Sequence, residues 1–252
     1  MPIEFRFSEV LDEITAIREL AGPLIEPNYL WMLDTFKISL ETIRSKRVKA
    51  SWELPQVNAL RTRACDGGYE KSPRQGGIGG LYGEVSAVWE IEPIVGNTKR
   101  NVLPTNFVIA GKASTKLRLV EDTKDGRNEH ACWRMEVGDL KSPGSFFHIQ
   151  YGESDAASSM YQPLPIPRIP CPPTTPLLAI EYLVAELFQD AWPERLIAQK
   201  NQAQQWRHLQ LKRHEAFAAW QATVLSERSG SVVVNLKAAK PKPTLLTGFN
   251  SN

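Results

Sequence analysis

Cysteine is scarce in this sequence, and what there is does not pair. Cys65, Cys132 and Cys171 lie far apart, are odd in number and form no CxxC. That spacing excludes a disulfide framework and a zinc ribbon and fits a reducing compartment. Histidine is nearly as sparse: His130, His148, His208 and His214. None of them sits in an HExxH, HxH or HxD string, and a separation of six puts His208 and His214 on opposite sides of a helix. Neither a metal site nor a cofactor is expected from this inventory. Long apolar runs are missing too, since nothing approaches the roughly eighteen residues that a membrane span needs. The opening MPIEFRFSEVLDEI brings acids early and has no apolar stretch of signal-peptide kind, so a cytoplasmic location without membrane contact is expected.

The common catalytic strings are absent as well. There is no GxxxxGK[ST] and no GxSxG. The glycine-rich stretch CDGGYEKSPRQGGIGGLYGE (65–84) precedes a strand pattern and opens no helix, whereas a dinucleotide loop follows a strand and starts one. It reads as a surface connection, with Lys71 and Arg74 as the cations it offers an anion. Charge of one sign is also lacking: the 252 residues carry a net +2. The balance is uneven, however. Residues 194–242 hold nine Lys/Arg against three Glu, an asymmetry that suits an acidic partner or simply a solvated helix face.

What is present is a legible alternation of patterns. Val10, Leu11, Ile14, Ile17 and Leu20 recur at helical spacing behind Ser8, a candidate cap, and Gly22-Pro23 closes that helix. A second helix is expected from about Asn28, with Leu33, Phe36, Leu40 and Ile43 on one stripe and RSKR (44–47) at its carboxy-terminal end, where cations complement the dipole. Period-two alternation then takes over in LYGEVSAVWEI (81–91), NFVIAGKASTKLRLVE (106–121) and ACWRMEV (131–137), and SFFHIQY (145–151) follows. Short turn-rich links between them imply an antiparallel meander of about four strands. Seven prolines in PLPIPRIPCPPTTP (163–176) make a stiff extended strap, and Thr174 or Thr175 with Pro176 marks the next helix start. Helices are expected over 176–191 and about 194–226, broken at Trp192-Pro193, then a short strand at SVVVNLK (231–237). The fold class is therefore α+β in a single domain over 1–252. It comprises a helical hairpin (1–50), a meander (80–152), the strap (163–176), helices packed on the sheet (176–226) and a loose tail (238–252).

Three sets of residues carry the candidate chemistry. On alternating strands His148 and Gln150 share a face, and Arg134 and Glu136 can meet them from the preceding strand. His148 as a base oriented by Glu136 would be a hydrolase or nuclease site, although a half-buried structural histidine gives the same pattern. Cys132 and His130, two apart, share a strand face and form a possible nucleophile pair. Lys112, Lys116 and Arg118 project from one strand face and, with Arg207, Lys212 and Arg213 of the last long helix, form a candidate nucleic-acid surface. In that helix Trp206, Trp220 and Arg213 are candidate anchors for another subunit.

The order FFHIQYG, LPIPRIPCPP and an amphipathic helix ending LFQDAW, over 146–192, resembles a group of uncharacterised bacterial proteins. The resemblance implies a bacterial cytosolic setting and no particular activity. With no strong catalytic constellation, the leading expectation is a non-enzymatic accessory subunit that docks another protein. Nucleic-acid binding and a His148-centred hydrolase are the alternatives.

Overall fold

The computed structural model describes residues 3–65, 80–96, 102–138, 144–152 and 168–246. Lys71 and Arg74 lie outside these residues, as does the first part of the strap. The fold is α+β. A strand β1 (Glu4–Arg6) runs directly into α1 (Phe7–Ala21), followed by α2 (Trp31–Lys46). Seven further strands come next: β2 (Ala50–Leu54), β3 (Leu60–Arg61), β4 (Leu81–Pro93), β5 (Asn106–Thr123), β6 (Gly126–Val137), β7 (Phe147–Tyr151) and β8 (Arg168–Pro170). Four helices close the chain: α3 (Pro176–Leu187), α4 (Ala191–Ala198), α5 (Lys200–Glu227) and α6 (Val232–Ala238).

All eight strands belong to one antiparallel sheet with the central order β2-β4-β5-β6-β7-β8. The expected meander is β4 to β7. The strands beyond it are two to five residues long, and they fill edges. β2 and β3 follow one another along the outer side of β4. β1 pairs with Asn106–Val108, the part of β5 beyond the reach of β6, whose last partner is Ala113.

One sheet face is apolar and sealed. Trp52, Trp89, Phe107, Leu117 and Val85 are buried against Phe7, Ile14, Ile17 and Phe36 of the first two helices and Leu177, Ile180 and Leu183 of α3. The Trp52 ring stacks on Phe36 at 3.9 Å between centroids and meets Trp89 edge-on at 6.1 Å. Its indole N–H donates to the Phe36 carbonyl at 2.9 Å, which satisfies the polar atom that this ring brings into the core. Gly83 lets α3 approach β4: a Cβ there would lie 2.5 Å from a Leu183 methyl.

Local signals place the helices with some corrections. Thr175 caps α3, its hydroxyl accepting from the Leu178 N–H at 3.2 Å with Pro176 in the first turn. Ser8 is not a cap, because the chain enters α1 straight from β1 with Arg6 at the boundary. α2 starts at Trp31 because Pro27–Tyr29 forms a separate 3₁₀ turn, and Arg47, left-handed at φ 57°, ends it. Pro193 sits in the first turn of α4, where it loses no hydrogen bond; the break in the long helix falls at Gln199 instead. SVVVNLK forms α6 rather than a strand, packed on α5, since strand preference counts only where a sheet edge is available. The tail is docked through residue 246: Ala239 and Leu246 are buried, and Lys240 Nζ donates to the Gly144 carbonyl at 3.2 Å.

Candidate functional site

The second face of the sheet is polar, yet much of it is buried. Strand register assembles it. One cross-strand row runs Ser86, Lys116, Arg134, Gln150 and Arg168 from β4 to β8. The adjacent row carries Ser114, Glu136 and His148, and the row on the other side carries Glu84, Arg118 and Cys132. Glu84, Ser86, Ser114, His148 and Gln150 are all buried. Residues directly opposite on antiparallel strands hold their Cβ atoms about 4.5–5.5 Å apart, so each row is a line of neighbouring side chains.

His148 is 2% exposed. Its Nδ1 lies 2.9 Å from the Ser145 carbonyl, to which it can only donate. Nε2 faces Glu136 Oε2 at 3.4 Å, an electrostatic contact too poorly aligned for a good hydrogen bond. With Nδ1 protonated, Nε2 carries a proton toward that carboxylate when the ring is an imidazolium. Glu136 also meets Arg134 Nη1 at 3.3 Å. The His148 contact first, then Arg134 and the Ser114 hydroxyl, hold the Glu136 carboxyl below its ordinary range, against the opposing effect of burial. The expected grouping of His148, Glu136, Arg134 and Gln150 is thus present in register.

Arg168 comes from the proline-rich strap, and the sequence reading passed over it. It was legible in one respect, as the single charged residue in PLPIPRIPCPPTTP. β8 is an edge strand, where prolines are tolerated, and it sets Arg168 opposite Gln150. The side chain crosses Gly144, where a Cβ would stand 2.8 Å from Arg168 Cδ. Ser86, Ser114 and Glu84 were likewise missed as site residues; each is a polar residue in an apolar strand run.

The strand cations do not form one exposed face. Lys112 lies at a bulge, since Trp89 pairs with Ala113 but Ile91 with Ile109, and it is exposed. Lys116 and Arg118 point into the half-buried polar face. Arg118 donates to the Gln56 carbonyl at 3.1 Å and pairs with Glu84 at 3.3 Å, and Arg127 pairs with the same carboxylate. A second bulge, at His130 between the Leu119–Ala131 and Val120–Glu129 pairs, undoes the proposed Cys–His pair: His130 turns to Glu121 at 3.0 Å. Burial meanwhile pushes the Cys132 thiol up to about 11, which leaves it protonated.

The helix candidates are largely used inside the chain. Arg213 is buried against α1, paired with Glu13, which also accepts from Gln210 at 2.9 Å. Trp206 is buried, its N–H donating to Glu181 at 2.7 Å. Neither presents itself to a partner as the sequence suggested. Lys212 binds Glu9 at 2.8 Å, and half-buried Trp220 packs on Phe217. Arg207 is exposed and borders a groove of about 730 Å³ along α4 and α5.

Among the described residues no group of three or more His, Cys, Asp and Glu is placed to hold a metal ion, and no helix is long and apolar enough to cross a membrane. No protein-family model, curated protein or solved structure matches the chain.

Proposed function

We propose that the polar sheet face binds a small oxyanion, a phosphate or carboxylate group, and that the protein works as a binding subunit rather than a catalyst. The observation that carries this reading is the row Ser86–Lys116–Arg134–Gln150–Arg168. It sets three cations and two neutral hydrogen-bonding groups side by side across five strands. Lys116 stands directly opposite Arg134. An oxyanion seated between the two would accept charge-assisted hydrogen bonds from both. Arginine forks match the oxygens of phosphate and carboxylate in pairs.

His148 supports binding over catalysis. Nδ1 is engaged by the Ser145 carbonyl, and Nε2 is buried and turned toward Glu136 rather than toward solvent, which places the ring poorly for taking a proton from a substrate. A nucleic-acid backbone is a poorer fit than a small anion. Arg118, Lys212 and Arg213 are paired with carboxylates, and Lys116 is set into the half-buried face.

Calorimetric titration of the full chain with inorganic phosphate tests this reading. Saturable binding that is lost in Arg134→Gln, with the far-ultraviolet circular dichroism unchanged, is expected. Absence of binding, or binding indifferent to Arg134, would contradict it.

A further inference from the structure

The groove along α4 and α5 has features that the anion site does not use. Its floor is formed by Trp206 and Leu196, and the Glu181 carboxylate there is engaged by the Trp206 N–H at 2.7 Å. Gln210 of the lining is likewise engaged, donating to Glu13 at 2.9 Å, and Leu196, Ile197, Ala203 and Leu211 supply hydrocarbon. Ile197 and Leu211 stand at the groove with 80% and 39% of their surface exposed. An exposed isoleucine and an exposed leucine lining a cleft of about 730 Å³ are apolar surface that no other described residue covers.

The rim carries positive charge at Lys200 and Arg207. Lys200, Arg207 and His214 all border the groove, all are exposed, and they recur at intervals of seven along α5. A seven-residue interval returns to nearly the same side of a helix, so the three form a stripe about 21 Å long. Lys200 and Arg207 thus flank the apolar lining of the groove with positive charge on one side, as charged residues flank the apolar seam of a coiled-coil helix. The cationic sign decides what fits. A helix with acids at heptad spacing matches the stripe, and a basic helix is repelled by it.

We propose that the α4–α5 groove is a docking site for an acidic amphipathic helix of another protein. Apolar side chains at heptad spacing would enter the groove over Trp206, between Ile197 and Leu211. Glutamates or aspartates flanking them would meet Lys200 and Arg207. Such a helix-in-groove contact rests on a few apolar anchors, with the charges setting orientation and partner choice.

The test uses the full chain and a labelled three-heptad peptide with leucine at its core positions and glutamate at the flanking ones, compared with the same peptide carrying lysine. Fluorescence anisotropy should show the glutamate peptide binding at least about tenfold more tightly than the lysine peptide, with the difference shrinking as salt rises. Ile197→Glu should abolish binding at unchanged melting temperature, because the side chain is mostly in solvent. Arg207→Glu should reverse the preference between the two peptides. Equal binding of both peptides, binding of neither, or full affinity in Ile197→Glu would overturn the proposal. Self-association of the chain that Ile197→Glu removes would also overturn it by assigning the groove to a second copy. Displacement of the peptide by lauric acid at Ile197 would do the same in favour of an acyl chain.

Discussion

Trp52, Trp89, Phe107 and Leu117 lie sealed on one side of the sheet beneath α1, α2 and α3, while Glu84, Ser86, Ser114, Lys116 and Glu136 occupy the other side of the same strands. Both sides are largely withdrawn from water, but by different means. The apolar side gains stability from burial, which scales with area and needs no exact partner. The polar side holds groups that burial penalises, and their pairing offsets that penalty in part. The net stabilisation accordingly comes mainly from the first side.

Ion pairs sharpen the contrast. Glu13 and Arg213 are sealed between α1 and α5, and burial raises the Glu13 carboxyl despite the guanidinium beside it. Glu136 and Arg134 sit on the polar face with their side chains still 19% and 13% exposed, and there the carboxyl is held low. The same pair of residue types is therefore a sealed structural joint in one place and part of a half-buried polar face in the other.

Substitutions should divide along these lines. The largest effect is expected from Trp52→Ala, which empties the centre of the apolar side and should cost about 3–5 kcal/mol in urea unfolding. Arg213→Met leaves the Glu13 carboxylate buried without its partner and should cost about 3 kcal/mol, whereas replacing Glu13 and Arg213 together by Met should recover most of the loss. Thr175→Ala removes the cap of α3 and should cost about 1 kcal/mol.

The smallest effect is a pH dependence on the polar side. The folded state holds the Glu136 carboxyl below its ordinary value, so its contribution is fully present above that value and is lost as pH falls through the depressed one. Glu136→Gln should therefore destabilise the chain by a constant amount near neutrality, and the difference should shrink below about pH 4.3. Urea unfolding at a series of pH values checks this, and a difference that stayed flat into strong acid would contradict it.

How much of this was legible in the sequence follows from the same physics. Long alternating runs such as 81–91 and 106–121 declare strands because both sides of the pattern are long enough to count. β1, β2, β3 and β8 are too short for periodicity, and they exist because β4, β5 and β7 present edges to pair with. His148, Gln150, Arg134 and Glu136 could be grouped because alternation along two neighbouring strands fixes a shared face. Lys112 and His130 could not be placed, because each sits at a bulge that shifts the register. Trp206 and Arg213 looked like interface anchors because a sequence does not say whether α5 finds its partner in α1 and α3 or in another chain. Arg168 was hidden by the prolines around it, although these are what confine its strand to an edge.

The most direct measurement is the melting temperature of wild type and Lys116→Met, each with and without inorganic phosphate. Without phosphate, Lys116→Met should keep the wild-type far-ultraviolet circular dichroism and a cooperative melt, because Lys116 lies on the half-buried polar face and outside the apolar core. At phosphate about ten times the dissociation constant the wild type should gain roughly 1.4 kcal/mol, or about 3–5 °C, and Lys116→Met should gain nothing. A Lys116→Met chain that melts several degrees lower and still responds to phosphate would contradict the assignment of the polar face to binding.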